Sequence, residues 1–475
     1  MMNVKHLALA AGPLGAIVLF IVLWLSGLSL AICCTAAITT LVATWWVFEP
    51  IPIPATSIIP FAAFPLAGVL THSQVANAYG HTLILLLMGG FILSTAMEKS
   101  GAHRRLALTM VGIVGGTNGK RLVLGFMIAS AVLSMWISNS ATTLMLLPVA
   151  IAILEQTDER EKLAVPLLLG IAFAANIGGI GTPVGTPPNV IFMAHFNELA
   201  AVTGNEWSFL QWMKIGVPIV IVFVPIAWLW LTRGLTLARP IVVPHPGKWR
   251  AEELRVLIVF SITALLWITR TEPFGGWNGI IERVWSFDTG SGKLTGDSTV
   301  ALLMSVVMFL IPNGKGGQLL DWETAVKIPW GLLLLFGSGL AIGMAFESSG
   351  LSKAVGEQLE HVTSWHIIFT ILAICLFVTF LTEITSNTAT TNLIMPILVA
   401  VCVANNKVLI APEILMVPAA ISASCAFMLP IATGPNAIVF GSGLIKTATM
   451  ARTGLPLNLI GAVVITLMIY ILLAT

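Results

Sequence analysis

A short polar phrase occurs twice in this chain, and its repetition constrains the fold more than any other feature. Residues 138–143 read SNSATT and residues 386–391 read SNTATT, with five of six positions identical. Two further pairs match in the same order, at offsets of 247 to 249 residues: LLMGGFILSTAMEKSG (86–101) with LFGSGLAIGMAFESSG (335–350), and TPVGTPPNVIF (182–192) with LPIATGPNAIV (429–439). Three matches in one order indicate an internal duplication, with repeats over about 34–235 and 250–475.

The repeated phrases lie in a chain that is too apolar to fold in water. Charged residues make up 9% of it and the mean hydropathy is +0.96, whereas a soluble domain carries about 25% charged residues. The sequence therefore predicts an all-α polytopic membrane protein. We expect about eleven transmembrane helices, near 13–33, 34–48, 52–71, 78–98, 163–200, 210–232, 252–269, 298–313, 329–347, 412–444 and 455–474. No basic run of the nucleic-acid-binding type occurs, so no nucleic acid is expected as a partner.

The basic residues indicate that the two repeats are inverted relative to each other. Short cytoplasmic loops are enriched in Lys and Arg. The loop before SNSATT contains five of them, namely Lys99, Arg104, Arg105, Lys120 and Arg121. Its counterpart before SNTATT contains only Lys353. The first loop is therefore expected inside and the second outside, with a cytoplasmic N-terminus and the inverted repeats that are typical of secondary transporters.

Each phrase interrupts an apolar stretch that is too short to cross the membrane twice. Residues 122–155 carry SNSATT near their middle, and two full spans need about 40 residues. Two re-entrant hairpins are therefore predicted, over 122–155 and about 366–404. The Gly- and Pro-rich stretches GGIGTPVGTPPN (178–189) and PIATGPN (430–436) break two further spans. Because non-helical backbone at membrane depth has to be buried or line a cavity, these four breaks predict one central site.

The predicted site is suited to an anion accompanied by cations. Each phrase is followed by a helix whose free N–H groups face the hairpin tip, and two such N-termini form an anion site. The unwound loops expose carbonyl oxygens, which suit a hard cation such as sodium. No Lys or Arg occurs in four segments, 122–157, 163–213, 354–406 and 408–445. A divalent anion there lacks a neutralising side chain, which favours symport with cations; obligatory exchange of anions is the alternative.

Other polar groups offer less specific signals. Glu383 lies three residues before SNTATT, where it either relays protons, neutralises a cation, or fixes the tip through hydrogen bonds, the last being favoured. Glu98 and Glu347 are interpreted as structural. The five cysteines are interpreted as small buried hydrophobic residues: Cys33, Cys34, Cys375, Cys402 and Cys425. No metal-ligand spacing, nucleophile elbow or P-loop occurs, so a carrier is favoured over an embedded enzyme or a sensor, while a channel is harder to exclude.

The paired Ser-Asn-Ser/Thr motifs and the segment ASCAFMLPIATGPNAIV (423–439) resemble the divalent anion/sodium symporter family, solute carrier family 13. The resemblance extends over nearly the whole chain. It implies a homodimer in the inner (plasma) membrane that works by an elevator mechanism and cotransports sodium ions. The substrates implied are dicarboxylates such as succinate, fumarate and malate, tricarboxylates such as citrate, or sulfate. A sodium-independent dicarboxylate exchanger and a sodium/sulfate symporter are the alternatives to a sodium/carboxylate symporter.

The resemblance also implies a division of the chain and a set of site residues. Scaffold parts are expected at 1–115 and 236–355, and transport parts at 116–235 with the inner hairpin and 356–475 with the outer hairpin. Substrate is expected to contact Asn139, Ser140, Asn387, Thr388, Gly434 and Pro435. One sodium is expected among Ser134, Ser138, Asn139 and the backbone near Gly185. The second is expected among Thr382, Thr385, Asn387 and the backbone near Ala432.

This sequence departs from the family pattern at two positions. Ser140 stands where many relatives have Thr. The second loop reads TGPN at 433–436, where many relatives have TPPN and where the first repeat itself has TPPN at 186–189. The loss of a methyl group and of a ring predicts a slightly enlarged pocket, which leaves room for a bulkier or differently shaped anion.

Overall fold

The computed structural model of this chain is almost entirely helical. It describes residues 4–115, 118–236, 247–273, 275–284, 295–359, 366–404, 407–408 and 410–474. A first helix, α1 (Val4–Leu25), precedes the repeats. The first repeat contains α2 (Leu30–Phe48), α3 (Ile53–Thr56), α4 (Ile59–Leu66), α5 (His72–Tyr79), α6 (Thr82–Ser100), α7 (Ala102–Gly115), α8 (Gly119–Ser134), α9 (Asn139–Glu155), α10 (Arg160–Gly179), α11 (Pro187–Glu198), α12 (Ala200–Thr203) and α13 (Phe209–Thr232).

The second repeat, like the first, begins and ends with a long helix in its described part. It contains α14 (Ala251–Ile268), α15 (Gly276–Val284), α16 (Asp297–Leu310), α17 (Trp322–Ala325), α18 (Trp330–Ser349), α19 (Leu351–Leu359), α20 (Ile367–Thr382), α21 (Asn387–Cys402), α22 (Pro412–Ala423), α23 (Gly434–Gly441) and α24 (Thr447–Ile469). Two antiparallel strands of two residues each, β1 (Val403–Ala404) and β2 (Lys407–Val408), follow α21. One turn of π-helix (Tyr470–Ala474) ends the described chain.

The duplication seen in the sequence is also present in the backbone conformation. Gly101 ends α6 with φ 77° and Gly350 ends α18 with φ 83°, and these two glycines are aligned in the repeats. Both adopt the left-handed conformation, which glycine tolerates because it has no Cβ atom. Each turn leads into a further helix, α7 or α19. Equivalent sequence therefore ends equivalent helices with the same local geometry.

The first two helices begin and end at residues other than those expected. Spans were predicted over 13–33 and 34–48, but α1 ends at Leu25 and α2 begins at Leu30. The break coincides with Gly27, which has φ 81°. Ser29 then caps α2, because its side chain accepts a hydrogen bond from the backbone N–H of Ile32. The division between these spans was therefore placed too late: a Gly turn and a Ser cap outweigh the unbroken hydropathy.

Seven helices in the described chain are long and apolar enough to cross a bilayer, and six shorter apolar segments accompany them. The span predicted over 52–71 is divided into α3 and α4, each with a proline near its start. The spans predicted over 163–200 and 412–444 are each divided into two helices, as the Gly and Pro residues of those stretches indicate. The protein is thus a multi-pass helical membrane protein, and the total of eleven spans stays a prediction.

Helices of the two repeats pack against each other instead of forming two separate halves. Helix α9 of the first repeat packs against α23 of the second, and α21 of the second packs against α11 of the first. Helix α10 lies at the centre, since every residue from Pro166 to Gly179 is buried. It contacts α8, α9, α13 and α23. This cross-packing brings the interrupted helices of both repeats to one place.

Candidate functional site

Each repeated phrase forms the turn between two short antiparallel helices. We call α8 with α9 the first hairpin and α20 with α21 the second hairpin. Their four helices contain 16, 17, 16 and 16 residues, which is shorter than the roughly 20 residues of a membrane-spanning helix. Ser138 caps α9 by accepting a hydrogen bond from the backbone N–H of Ala141 at 3.1 Å. Both phrases thus lie between two short helices, and the re-entrant course of these hairpins stays a prediction.

The same side-chain pair closes both hairpin tips. The hydroxyl of Ser134, at the end of α8, donates a hydrogen bond to the amide oxygen of Asn139. The hydroxyl of Thr382, at the end of α20, donates to the amide oxygen of Asn387 at 2.7 Å. Each pair joins the last residue of one helix to the first residue of the next. The residues assigned to the two sodium sites are thereby brought together in the same way in both halves.

Equivalent asparagines hold the loops of the two broken spans through hydrogen bonds. We call residues 180–186 the first loop and residues 424–433 the second loop. The amide nitrogen of Asn189 donates to the carbonyl oxygens of Gly179 at 2.9 Å and Thr182 at 2.7 Å. That of Asn436 donates to those of Ala426 and Leu429, each at 3.0 Å. The two asparagines are aligned in the repeats, and each holds a non-helical loop in a compact shape.

The first loop brings backbone oxygens to the first hairpin tip. A Cβ atom added at Gly185 would lie 3.0 Å from the carbonyl oxygen of Ser134 and close to that of Gly179. A Cβ atom added at Gly179 would lie 2.8 Å from the amide oxygen of Asn139. Carbonyl, amide and hydroxyl oxygens therefore gather around Gly185. Hard cations prefer such ligands, so these residues fit the sodium site expected there.

The second hairpin and the second loop form the corresponding arrangement. The Thr382 hydroxyl also lies 2.9 Å from the carbonyl oxygen of Ala423. Thr385 shares a hydrogen bond of 2.5 Å with the hydroxyl of Thr390. Ala432 lies in the second loop beside the tip and lines the same cavity as Thr385. Oxygen atoms again surround the position expected for a sodium ion.

One cavity of about 850 Å³ connects the two tips and the two loops. We call it the central cavity. All six residues predicted to contact substrate line it, namely Asn139, Ser140, Asn387, Thr388, Gly434 and Pro435. Four residues of the predicted sodium sites line it as well, namely Ser138, Gly185, Thr385 and Ala432. Ser134 and Thr382 lie behind this lining, fully buried, and reach the cavity through the asparagines to which they are bonded.

Four helices, two from each repeat, begin at the central cavity. Asn139 and Asn387 are the first residues of α9 and α21, and both line it. Pro187 and Gly434 are the first residues of α11 and α23, and they line it as well. The positive end of a helix dipole occurs at each such start, whereas the two prolines that begin α11 contribute no N–H group. Only the two hairpin helices were expected to contribute; the Thr-Pro-Pro and Thr-Gly-Pro sequences, typical of a capped helix start, are the signal for the other two.

The lining that comes from the hairpins and loops is uncharged. It consists of Ser, Thr and Asn side chains together with small and apolar residues. Asn176 of α10 donates a hydrogen bond of 3.0 Å to the hydroxyl of Thr433, which caps α23. The repeats are thus joined at the site itself. Such a lining offers many donors and oxygen ligands to ions, and no fixed charge.

The two departures from the family pattern lie in contact with each other. A Cβ atom added at Gly434 would overlap the hydroxyl oxygen of Ser140. The space that the missing ring leaves is therefore occupied by the Ser140 hydroxyl. The expectation that these two changes enlarge the pocket for the anion is wrong at this contact, because one departure fills the room made by the other.

Glu383 binds the backbone of the second loop. Its carboxylate accepts hydrogen bonds from the N–H groups of Phe427 at 2.7 Å and of Met428 and Leu429 at 2.9 Å each. The side chain of Asn458 donates a fourth, at 2.7 Å. Glu383 is 3% exposed. The favoured interpretation, a buried carboxylate within a network that fixes the tip, matches these contacts.

The cysteines and histidines form no further site in the described part of the chain. All five cysteines are free, and four of them are buried. No group of three or more His, Cys, Asp or Glu side chains there is arranged to hold a metal ion.

Comparison with known proteins places this chain in a family. A family model described as citrate transporter matches residues 43–416. The sodium-dependent dicarboxylate transporter SdcS of Staphylococcus saprophyticus is 41% identical over 461 residues, which cover 92% of this chain and 85% of that protein. The protein of the same name from Staphylococcus aureus strain NCTC 8325 is 39% identical over 463 residues, with 91% and 84% covered.

Two solved structures share the fold. The YdaH transporter of Alcanivorax borkumensis superposes with a TM-score of 0.55 at 16% identity and covers 87% of this chain and 90% of its own. MtrF of Neisseria gonorrhoeae gives a TM-score of 0.53 at 13% identity, with 86% and 84% covered. At these levels of sequence identity, the likeness shows a shared fold. On the family model, the relatives and its own paired motifs, the chain belongs to the citrate transporter family and to the divalent anion/sodium symporters that those motifs resemble.

Proposed function

We propose that this protein is a secondary active transporter that carries a di- or tricarboxylate together with sodium ions. The single observation that carries the proposal is the convergence of four helix N-termini on one cavity whose hairpin and loop lining is uncharged and whose two asparagines are each bonded to a buried hydroxyl. The name of its relatives, sodium-dependent dicarboxylate transporter, supports the same choice. Succinate, fumarate, malate and citrate are the candidate substrates.

The carboxylates of the substrate bind at the hairpin tips and helix starts. Asn139 and Ser140 supply side-chain donors from the first hairpin, and Asn387 and Thr388 supply them from the second. Gly434 and Pro435 begin α23 beside them. Backbone N–H groups at a helix start bind anions without a basic side chain. A substrate with two carboxylates extends from one repeat to the other.

Sodium ions offset the charge that the substrate brings. Helix N-termini supply partial charges of about half a unit each, and these are balanced by the opposite ends of the same helices. A dianion therefore keeps its full charge when it crosses the membrane with this cavity alone, which is costly. One sodium binds among Ser134, Ser138, Asn139 and the Gly185 backbone. The other binds among Thr382, Thr385, Asn387 and the Ala432 backbone.

The movement that carries the site across the membrane is proposed to be of the elevator type. The scaffold consists of residues 1–115 and 236–355, and forms a homodimer. The transport part consists of residues 116–235 and 356–475, with the first hairpin entering from the inner side and the second from the outer side. The packing of α10 against the first hairpin and against α23, together with that of α11 against α21 of the second hairpin, supports one moving body. We place the protein in the inner (plasma) membrane with a cytoplasmic N-terminus.

Uptake into proteoliposomes tests the proposal. Purified protein is reconstituted, and uptake of labelled succinate and citrate is followed with and without an inward sodium gradient. Uptake that requires sodium, saturates, and shows counterflow is expected. Uptake that is indifferent to sodium but driven by internal dicarboxylate would replace symport by exchange. Inhibition of succinate uptake by excess sulfate, with sodium-driven sulfate uptake, would replace the carboxylate by sulfate.

A further inference from the structure

Among the described residues that line the central cavity, two are charged, and neither belongs to a hairpin or a loop. They are Lys5 and Glu49. Lys5 lies in the first turns of α1, and Glu49 follows the last residue of α2. Both are exposed. The sequence alone gives no reason to associate either of them with the repeated phrases, which lie far away along the chain.

Close packing of α1 on α2 places the two charges at the same end of this helix pair. The indole nitrogen of Trp45 donates a hydrogen bond of 3.2 Å to the carbonyl oxygen of Ala8. A Cβ atom added at Gly12 would overlap the Trp45 ring, so the helices meet there with no space between them. Lys5 lies about one turn before Ala8, and Glu49 about one turn after Trp45. The start of α1 is therefore held beside the mouth of the central cavity.

The backbone at Glu49 points to a role for its carboxylate. Glu49 has φ 46° and ψ 51°. In the described chain it is the one residue other than glycine with a positive φ. Its N–H caps α2 through the carbonyl oxygen of Trp45 at 3.0 Å. Glycine or asparagine is the usual residue at such a position, because a side chain is strained there. A solvent-exposed glutamate in this conformation adds nothing to the cap that glycine lacks, except its charge.

We propose that Lys5 and Glu49 form a charged mouth that selects ions for the central cavity, a role that rests on the proposed function. Lys5 attracts the multivalent anion, and Glu49 attracts the sodium ions that accompany it. Helix dipoles and amides act within a few ångströms, whereas full charges act over about a Debye length. In an otherwise uncharged cavity, long-range attraction therefore depends on these two groups. They affect binding from the side on which α1 begins and leave the translocation step unchanged.

Substitution of Lys5 tests the anion half of this proposal. In Lys5→Gln, KM for succinate is expected to rise about threefold at low ionic strength, with an unchanged maximal rate, since a dianion loses the attraction of one positive charge that lines the cavity. The inhibition constant of citrate should rise more, because citrate carries more charge. The difference should disappear in about 0.5 M salt, where charges are screened. Lys5→Arg is the matched control and should retain wild-type values.

The most decisive measurement is whether the change in KM occurs on one side of the membrane only. Right-side-out and inside-out membrane vesicles present opposite faces of the protein to the same medium. The change in KM is expected in one orientation only, which is the inside-out one if the N-terminus is cytoplasmic. Equal changes in both orientations, or no change in either while wild-type transport is intact, would overturn the proposal. Absence of transport by the wild-type protein in the same vesicles would count against the proposed function instead.

Two substitutions of Glu49 separate its charge from its backbone conformation. Glu49→Gln removes the charge and keeps the strained conformation, whereas Glu49→Gly removes both. If the charge acts, both variants require about twofold more sodium for half-maximal transport, and both bind succinate slightly more tightly. Glu49→Gly alone should also unfold at a higher temperature. Unchanged sodium dependence in both variants overturns the role of Glu49 in the mouth.

Discussion

In the first repeat, the loop of the broken span is held by neutral groups, whereas in the second repeat it is held by a carboxylate. The hydroxyl of Thr182 donates to the carbonyl oxygen of Met135, and the indole of Trp212 donates to that of Ile180 at 2.8 Å. In the second repeat, Glu383 occupies the position equivalent to Met135 and accepts three backbone N–H groups. A loop is thus joined to a hairpin tip in both repeats, by a donor from the loop side chain in the first and by an acceptor from the hairpin side chain in the second.

The two hairpin tips, by contrast, use the same chemical groups but differ in shape. Both have a hydroxyl bonded to an asparagine. The first tip then has Ser140 against Gly434, while the aligned positions of the other half have Thr388 and Pro187. The hydroxyl–asparagine pairs are therefore equal in the two halves, while the groups that shape the cavity beside them differ.

The prediction with the largest expected effect tests whether the two hairpin tips are equally needed for transport. Asn139→Ala and Asn387→Ala are each expected to reduce sodium-driven uptake to background, because each removes from the cavity an amide that hydrogen-bonds a buried hydroxyl. Proteoliposome uptake and size-exclusion chromatography measure transport and assembly. Asn205→Ala, in an exposed segment, is the control and should transport normally. Wild-type uptake by either tip variant would remove that asparagine from the site.

The next effect tests the difference between the two loops. Glu383→Ala removes the acceptor of three backbone N–H groups and of the Asn458 amide, although the Phe427 N–H retains the side-chain oxygen of Asn458 at 3.2 Å. An unsatisfied buried donor costs about 1–3 kcal/mol, so a loss of several kcal/mol in the free energy of unfolding is expected. Met135→Ala, at the equivalent position, should cost about 1 kcal/mol, because Met135 is only partly buried. Thermal unfolding of both proteins in detergent measures this; equal losses would contradict the comparison.

A smaller effect tests the contact between Ser140 and Gly434. Gly434→Ala should raise KM for succinate about tenfold, because the added methyl group displaces the Ser140 hydroxyl from its position. Ser140→Ala should raise KM as well, through loss of a donor. The double variant is expected to transport no worse than the worse of the two single variants, since the alanine at 140 makes room for the one at 434. Strictly additive losses would show that the two residues do not share this space.

The smallest expected effect concerns Trp212. In Trp212→Phe, the hydrogen bond to the carbonyl oxygen of Ile180 is lost, while the ring packing is largely kept. A destabilisation of about 1 kcal/mol is expected, with transport reduced by less than threefold. Thermal unfolding and uptake measure the two quantities. A loss as large as that of Glu383→Ala would mean that the first loop also depends on a single group.

Much of the site was predictable because it is written in local sequence. The two tips, the helices after them and the two broken spans each follow from short runs of Ser, Asn, Thr, Gly and Pro within apolar surroundings. The duplication then required that these runs occupy equivalent places. The starts of α11 and α23 were within reach of the same reasoning, because Thr followed by Pro or Gly-Pro is a helix-start signal. The turn at Gly27 was missed because hydropathy was given more weight than Gly and Ser.

Other features of the site could not be predicted, because they join distant parts of the chain. The bond from Asn176 to Thr433 connects residues 257 positions apart. Lys5 and Glu49 reach the cavity only through the packing of α1 on α2. Ser140 fills the space at Gly434 only because α9 lies against α23. In each case the sequence shows two local patterns, but nothing near either pattern in the sequence indicates that they are in contact.

The sequence by itself determined that this protein is an apolar, multi-pass membrane protein with an internal duplication, and it predicts that the two halves are inverted and that the two polar hairpin tips bind ions without basic side chains. Charge content, repeat spacing and loop charge are sums over residues, and they need no coordinates. Tertiary structure alone decided which half packs on which, how four helix starts share one cavity, and that two apparent enlargements of the pocket cancel. Packing decides these because a cavity is bounded by whichever surfaces meet, and the side chains that fill it come from both repeats.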